Sequence, residues 1–341
     1  MKKHNFALIL LILIMALTAF TACSSGEESD LPEEMNIGIL RVPNDETIAI
    51  AEGLFDEYFE SQGIAVNLIV FDSGREANAA LASGSIDFAA MGNTNAIVAL
   101  ATELDTEMIW IHEVLGEIEA LVAHKDSGVQ TVEDLAGKTV ATPFASTSHY
   151  ILLNALKEAG VEEDVTLLDM QTTEIVAAWE RGDIDAAYVW EPSLNNLKEN
   201  GTVLVTSQDM AEKGYITANV KIVRTAFSEQ YPQVVADYVD LLAQAGEIYR
   251  QDPEYAAEVV SEELEIPAEE ALMQMQGSIW EPRETLLSEA YFGTSETPGN
   301  FASIMKDTSD FLLEQGSISD SPSLEAFEAF VNPKYIELSL E

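Results

Sequence analysis

Two stretches of the chain repeat one pattern of apolar and polar positions. Residues 69–91 and residues 166–189 each run from an apolar strand ending in Asp, through an amphipathic helix, to a Gly-x-Ile-Asp turn and a second apolar strand. Gly84 and Gly182 stand where the two helices end, a position at which a left-handed glycine commonly terminates a helix. Each copy therefore predicts a β-α-β unit with a parallel pair of strands.

The spacing of the two copies predicts the domain organisation. The two glycines lie 98 residues apart, about the size of one small domain. We therefore predict an α/β protein of two similar lobes, each a mostly parallel sheet flanked by helices, rather than a solenoid. The alternating segments 117–123 and 217–223 are predicted to carry the chain into the second lobe and back. The predicted limits are 35–119 with 222–341 for lobe one, and 120–221 for lobe two.

Helix signals dominate the last third of the chain, where proline stands near the start of three periodic segments. The predicted helices cover 231–249, 253–263, 267–275 and 301–315, and a turn-rich surface loop covers 288–300. Further upstream, Thr131 and Asp134 have the spacing of a capping box, which predicts a short helix that Gly137 ends.

Residues 1–22 are predicted to be a secretory signal. Two lysines precede an apolar run over 6–20, which is too short to span a bilayer comfortably. The run ends in small residues before Cys23 and resembles the lipobox of bacterial lipoproteins, whose cysteine becomes the lipidated N-terminus, although Phe20 stands where leucine is usual. The alternative is a plain signal peptide followed by an unmodified cysteine. Residues 23–34 are polar and acidic, which predicts a flexible tether.

The composition excludes several classes of function. The full chain has a net charge of −44, and removing residues 1–22 takes away two lysines and no acid, which leaves −46. A chain this acidic is repelled by nucleic acid and by anionic lipid. Because the predicted mature chain has no cysteine after Cys23, disulfides, zinc–thiolate sites, iron–sulfur clusters and cysteine nucleophiles are excluded. The histidines lack metal-ligand spacing and the common enzyme motifs are missing, so we predict no metal, no cofactor and no enzymatic activity.

Four polar turns follow predicted strands, and parallel α/β sheets bind ligands beyond the carboxyl ends of their strands. Three of the turns are small and rich in hydroxyl and backbone N–H donors, which suits a compact anion. They are Ser73-Gly74, Asn93-Thr94 and Ser146-Thr147-Ser148-His149. The fourth turn, Trp190-Glu191, offers an aromatic face and a carboxylate, which suits a cation. Together the four turns predict a site for a zwitterion.

Each turn also has a purely structural interpretation: a simple turn at Ser73-Gly74, a helix cap at Asn93-Thr94 and at Ser146, core packing for Trp190, and a solvated acid at Glu191. His149 fits a helix-start residue better than a catalytic base. The joint placement of the four turns at strand ends of two repeated units is what favours a site.

Three segments resemble a known family: Asp72-Ser73-Gly74 with residues 80–84, residues 143–150, and residues 177–190. In these motifs, and across about residues 36–223, the chain resembles the solute-binding proteins of ABC importers for taurine and other aminosulfonates, alkanesulfonates and nitrate. Its Ser-Thr-x-His-Tyr and Gly-Asp-Ile-Asp…Tyr-Val-Trp motifs are most similar to the taurine-binding branch. The likeness is weaker toward the C-terminus, although residues 311–316 also match.

The resemblance implies a two-lobe type II periplasmic-binding fold with the ligand in the cleft between the lobes. It implies that sulfonate oxygens are held by the turns at Ser73-Gly74, Asn93-Thr94 and Ser146-Thr147-Ser148, and that Trp190 lines the pocket. Two residues depart from the family. Glu191 stands where a small residue usually follows the tryptophan, and Asn219 stands where the returning strand usually carries an acid. We hypothesise that Glu191 takes over the contact with the ligand's ammonium group.

The resemblance and the leader together predict a lipid-anchored, monomeric solute-binding subunit on the extracytoplasmic face of the cell membrane. It would capture taurine or a related small sulfonate by interlobe closure and pass it to the permease and ATPase subunits of an ABC importer. One alternative is a sensor of another small anion or zwitterion that acts through a partner receptor or kinase. Another is a thiamin-precursor binder or enzyme of the same fold, against which the secretion signal and the missing cysteines argue.

Overall fold

A computed structural model describes residues 31–341. The predicted signal segment, the predicted lipidation at Cys23 and most of the predicted tether lie outside the described residues. The strands are β1 Glu34–Leu40, β2 Ala65–Phe71, β3 Phe88–Gly92, β4 Thr106–Leu115, β5 Glu119–His124, β6 Thr139–Thr142, β7 Thr166–Asp169, β8 Ala186–Trp190, β9 Gly201–Thr206, β10 Ala218–Arg224, β11 Ser278–Ile279, β12 Gly293–Thr294 and β13 Thr297–Pro298.

The helices flank these strands throughout. They are α1 Asp45–Ala51, α2 Gly74–Ser83, α3 Asn93–Ala101, α4 Thr147–Ala159, α5 Thr172–Arg181, α6 Ser193–Asn200, α7 Ser207–Ala211, α8 Thr225–Gln230, α9 Pro232–Gln251, α10 Pro253–Leu264, α11 Ala268–Gln276, α12 Arg283–Leu286, α13 Asn300–Glu314, α14 Leu324–Phe330 and α15 Lys334–Leu338. Among residues 31–341, none of these helices combines the length and apolar character needed to cross a bilayer.

Two larger sheets organise the fold. The first has the strand order β11-β4-β10-β3-β1-β2, and the second has the order β7-β6-β8-β5-β9. In the first sheet β1 to β4 run in one direction, while β10 and β11 run against them. In the second sheet only β5 runs against the others. The predicted α/β class of mostly parallel sheets is therefore confirmed.

The internal repeat is present, but the strand pairing inside each copy differs from the prediction. The first copy is β2-α2-β3 and the second is β7-α5-β8, and Gly84 and Gly182 end the two helices at φ +72° and +70°. The two strands of each copy are parallel but not adjacent, because β1 lies between β2 and β3, and β6 lies between β7 and β8. In each sheet a strand from earlier in the chain, β1 or β6, therefore lies between the two strands that the helix connects.

The two faces of the second sheet bury separate apolar clusters, because alternate residues of each strand point to opposite faces. Leu121 packs with Ile151, Leu152 and Tyr188 beneath α4, whereas Val122 packs with Trp179 on the α5 face. At 25 cal/mol per Å², burial of side chains this large stabilises the fold by about 1.5–3 kcal/mol each. These clusters hold the turns at the ends of β6 and β8 in fixed positions.

The predicted helices of the last third are confirmed by α9, α10, α11 and α13. The segment 288–300, predicted as irregular, contains the short β12–β13 hairpin. The predicted capping box forms only half of its bonds: Asp134 accepts from the N–H groups of Gln130 and Thr131, and the helix that follows is a single 3₁₀ turn over Glu133–Leu135.

Candidate functional site

A cavity of about 420 Å³ lies between the two sheets, at the carboxyl ends of their parallel strands. Residues that follow β1, β2 and β3 form one wall, and residues that follow β6, β7 and β8 form the other. Seven of the predicted site residues line it: Ser73, Gly74, Ser146, Thr147, Trp190, Glu191 and Asn219. The two repeated units therefore bring their strand ends to one place, as expected for a ligand site in α/β sheets.

Four predicted site residues, Asn93, Thr94, Ser148 and His149, are buried beside the cavity without lining it. The side-chain oxygen of Asn93 accepts from the N–H of Ala218 at 3.2 Å and so ties the start of α3 to β10. Thr94 is fully buried behind the same turn. In this structure these side chains support the walls of the cavity, and their direct contact with a ligand stays a prediction.

Glu119 at the start of β5 is the most heavily hydrogen-bonded acid of the site. It is 0% exposed, and it accepts from the hydroxyls of Thr147 at 2.5 Å and Ser148 at 2.7 Å through one carboxylate oxygen. Its other oxygen accepts from the Ser207 hydroxyl at 2.6 Å. Burial raises the pKa of Glu119, and the three hydroxyl donors oppose that rise. This carboxylate also lines the cavity.

The Glu119 carboxylate determines what its hydroxyl partners can offer to a ligand. A hydroxyl has one proton to donate, and those of Thr147 and Ser148 are directed at Glu119. The Ser146 hydroxyl donates to the Pro143 carbonyl at 2.6 Å. These three side chains therefore present lone pairs rather than protons to other groups. An anion at this wall has to be held by backbone N–H groups instead.

Backbone N–H donors are available on both walls of the cavity. Gly74 and Arg75 begin α2 and Thr147 begins α4, and within residues 31–341 their N–H groups make no hydrogen bond. All three residues line the cavity. Because α2 and α4 have 10 and 13 residues, their dipoles add partial positive charge at these ends. Two helix N-termini thus converge on one space, which is a suitable arrangement for a compact anion.

Direct contacts across the cavity hold the two walls together. The Arg75 guanidinium donates to the Phe144 carbonyl at 2.7 Å and lies 3.6 Å from Asp169. The Asn95 side chain donates to the Ala145 carbonyl at 2.9 Å. Ala145 has a left-handed backbone, φ +59°, which turns this carbonyl toward Asn95. The cavity is therefore bridged on its α2 and α3 side.

His149 supports the turn that makes these contacts. Its ring stacks on Phe144 with centroids 4.3 Å apart, and its Nδ1 accepts from the Ala145 N–H at 3.3 Å. Burial lowers the pKa of His149 to about 4, with Asp169 opposing the shift. The imidazole is thus neutral at physiological pH and acts as an acceptor, in agreement with its interpretation as a helix-start residue.

Glu191 lies at the cavity wall with both carboxylate oxygens engaged. One oxygen pairs with the Lys198 ammonium at 3.0 Å, and the other accepts from the Asn195 N–H at 2.8 Å. Burial raises the pKa of Glu191, and Lys198 opposes that rise. A ligand ammonium would have to share this carboxylate with Lys198. The hypothesis that Glu191 replaces the acid expected near residue 219 stays a prediction, without a free oxygen to support it.

Asn219 lies opposite Glu113 in the β10–β4 ladder, and its amide nitrogen donates to Glu113 at 2.5 Å. Asn219 lines the cavity, whereas Glu113 is 2% exposed behind it. No cluster of three or more His, Cys, Asp or Glu suited to a metal ion occurs within the described residues.

Sequence reasoning missed Glu119, Glu113 and Arg75. A signal for Glu119 existed, because an acid that begins the strand Glu119–His124, otherwise rich in apolar residues, needs a partner when the strand is buried. No comparable signal marked Arg75, whose role depends on a carbonyl 69 residues away.

Comparisons with known proteins identify a matching family and relatives with a similar fold. The family described as NMT1/THI5 like matches residues 48–256. The taurine-binding periplasmic protein of Escherichia coli (strain K12) is 34% identical over 269 residues, which cover 76% of this chain and 81% of that protein. A putative aliphatic sulfonates-binding protein of Bacillus subtilis (strain 168) is 30% identical over 267 residues, covering 77% and 78%. The solved periplasmic aliphatic sulphonate binding protein SsuA of Escherichia coli shares the fold, with a TM-score of 0.71 at 20% identity over 87% and 92% of the two chains.

Proposed function

This chain belongs to the NMT1/THI5-like family together with the taurine-binding periplasmic protein of Escherichia coli, and from this membership we propose that it is a solute-binding protein of an ABC importer. We propose that it captures taurine or a related small sulfonate. The observation that carries the proposal is the pair of helix N-termini, at Gly74 and Thr147, that converge on one cavity. A sulfonate is a compact anion with three acceptor oxygens, and free backbone N–H groups at helix starts suit it.

Capture proceeds by closure of the two lobes around the ligand, one built on the first sheet and the other on the second sheet, whose strands lie within Glu119–Thr206. The contacts of Arg75 with Phe144 and of Asn95 with Ala145 support this mechanism, because each joins a residue of one lobe to a residue of the other. The chain crosses between the sheets after β4 and again before β10. Short crossings of this kind are where hinge closure concentrates its backbone rotation.

The site is one for binding without chemistry. The hydroxyls of Thr147 and Ser148 donate to Glu119, and the His149 ring accepts from a backbone N–H, so these groups serve the structure of the wall. We further propose attachment to the extracytoplasmic face of the membrane through Cys23, which the lipobox-like leader supports, and a monomer that delivers its ligand to permease and ATPase subunits.

Isothermal titration of taurine, ethanesulfonate, nitrate and acetate into the chain without residues 1–22 tests the proposal. We expect both sulfonates to bind more tightly than nitrate or acetate, and taurine to raise the melting temperature by mass action. Acetate serves as a control for charge alone. Absence of heat and of a melting shift with every sulfonate would rule the proposed function out.

Gly92→Ala tests the closure mechanism. A Cβ at Gly92 would lie 2.8 Å from Cγ2 of Thr147 on the other wall, too close for real atoms. Thr147 cannot rotate away without losing its hydrogen bond to Glu119. We expect a loss of sulfonate affinity of roughly tenfold, since overpacking costs about 1–3 kcal/mol, measured by titration calorimetry.

The melting temperature of ligand-free Gly92→Ala should change little, because the open state that the closure mechanism requires separates the walls and relieves the clash. Gly246→Ala on α9 is the matched control, since the atoms nearest to its new Cβ belong to the flexible end of Arg250. Unchanged affinity in Gly92→Ala would show that the ligand is held without this approach of the walls.

A further inference from the structure

The Asn219–Glu113 pair is the feature of the cavity that the proposed function leaves unexplained. The two residues face each other across neighbouring antiparallel strands, and the Asn219 amide nitrogen donates to Glu113 Oε1 at 2.5 Å. Only Asn219 lines the cavity. The other carboxylate oxygen of Glu113 is buried and has no hydrogen-bond partner within the described residues. A buried acid with a spare oxygen stands directly behind a polar residue of the wall.

The chemistry of a carboxylate fixes the orientation of the asparagine amide. An ionised carboxylate only accepts hydrogen bonds, whereas a primary amide has a donor end and an acceptor end. With its nitrogen bound to Glu113, the Asn219 side chain keeps its carbonyl oxygen for other partners, and within the described residues this oxygen accepts no hydrogen bond. This wall therefore offers an acceptor, with a negative charge close behind it, to whatever group reaches it.

Resting on the proposed function, we propose that Glu113 is a positioning residue that holds the Asn219 carbonyl oxygen toward the cavity, where it receives the cationic end of a zwitterionic sulfonate. The acid that recognises the ammonium group thus acts from β4 through an amide on β10. Neutral-tailed sulfonates use the helix N-termini in the same way but gain nothing from this pair.

The other acids of the cavity wall are less suited to this task. Glu119 already accepts from three hydroxyls, and Glu191 is paired with Lys198. Asp72 and Glu76 are exposed just beyond β2, where water screens their charges. Glu113 differs from all four, because it is buried and its Oε2 is uncommitted.

The charges that act on Glu113 come from three elements. His112 on β4 pairs with Asp45 on α1, and Lys221 on β10 pairs with Glu46 on α1, so neither cation is free to neutralise Glu113. Burial raises the pKa of Glu113 to about 7, while His112 and the bond from Asn219 oppose the rise, and Asp45 and Glu46 add to it. A ligand ammonium would supply the missing positive charge.

This pKa gives the direction of the expected pH dependence. Below about pH 7 Glu113 is protonated, its negative charge is lost, and its carboxyl group no longer requires the amide nitrogen. Above about pH 7 it is ionised and favours an ammonium. Because an alkylammonium such as that of lysine stays protonated throughout this range, taurine affinity should rise with pH and ethanesulfonate affinity should not.

The test is calorimetric titration of taurine and of ethanesulfonate, which lacks the ammonium group, into the wild type, Glu113→Gln and Glu113→Gln/Asn219→Asp. In Glu113→Gln we expect taurine affinity to fall roughly tenfold or more, the range for a hydrogen bond to a charged group, while ethanesulfonate affinity stays within about twofold. The double variant moves the carboxylate from β4 to β10 and should restore the preference for taurine. Glu117→Gln, an exposed acid nearby, is the matched control.

The wild type gives a readout that does not depend on the folding of any variant. Its taurine affinity should decrease from about pH 8.5 to about pH 5.5, as the carboxyl group titrates, and its ethanesulfonate affinity should stay flat. Equal losses for both ligands in Glu113→Gln, or parallel pH profiles for both ligands in the wild type, would overturn the inference. If neither taurine nor ethanesulfonate binds the wild type, the proposed function itself fails.

Discussion

Replacing Lys221 with methionine is expected to lower the free energy of unfolding by about 3–5 kcal/mol, the usual cost of leaving one partner of a buried ion pair alone. Lys221 is 0% exposed, pairs with Glu46, and donates to the Gly38 carbonyl at 3.3 Å. Burial lowers the pKa of Lys221, and Glu46 opposes that shift. Methionine fills a similar volume but leaves the Glu46 carboxylate buried with only the Tyr238 hydroxyl as donor.

Urea unfolding followed by circular dichroism measures this effect. Lys213→Met is the matched control, because Lys213 pairs with Glu158 at 2.6 Å but is half-exposed, so its loss should cost below about 1 kcal/mol. The double variant Lys221→Met/Glu46→Gln removes both charges and should recover a large part of the loss. A single-variant loss as small as that of the control would show that Glu46 is not held as a buried anion.

Replacing Glu119 with glutamine is expected to weaken both the fold and the site. A hydrogen bond to a charged group contributes about 1.5–3 kcal/mol, so the free energy of unfolding should fall by at least about 2 kcal/mol. Glutamine keeps one acceptor oxygen but adds an amide that cannot accept from the hydroxyls of Thr147, Ser148 or Ser207. The start of α4 then loses its anchor to β5, and its N–H groups lose their fixed direction toward the cavity.

Sulfonate affinity of Glu119→Gln should therefore fall by at least about tenfold, because misdirected donors lose a charged hydrogen bond. Denaturant unfolding and titration calorimetry measure the two effects separately. Glu117→Gln, two residues earlier and exposed, should change neither. Wild-type affinity in Glu119→Gln would mean that the hydroxyl network serves stability alone.

Local signals were sufficient to predict many elements of this fold. Proline and apolar periodicity predicted a helix over 231–249, and α9 covers Pro232–Gln251. The Gly-x-Ile-Asp turns predicted both repeated units, because a glycine in the left-handed region ends α2 and α5. Strand order was not predictable in this way. The pattern of a β-α-β unit is the same whether its strands are adjacent or separated by a third, as β1 and β6 separate them here.

The part of the candidate site formed by residues at the carboxyl ends of strands was predictable from the sequence. Ser73 and Thr147 follow strands and Trp190 ends one, and their placement on the cavity wall needed only that rule. The polarity of the site was not predictable, because it depends on partners far apart in the chain. Glu119 and Ser207 are separated by 88 residues, and Glu113 and Asn219 by 106. Their neighbours in sequence do not identify the distant partners of these bonds.

The position of β10 in the first sheet has a consequence for the order in which the chain folds. All strands of the second sheet come from residues 119–206, whereas β10, residues 218–224, lies between β3 and β4 of the first. During synthesis the second sheet can pair its strands from one continuous segment, while β3 and β4 keep open edges until residue 224 has emerged. Open edges of this kind are sites of aggregation. A chaperone that binds unfolded chains, present after the second sheet has paired and before β10 has joined the first sheet, should therefore raise the yield of folded protein.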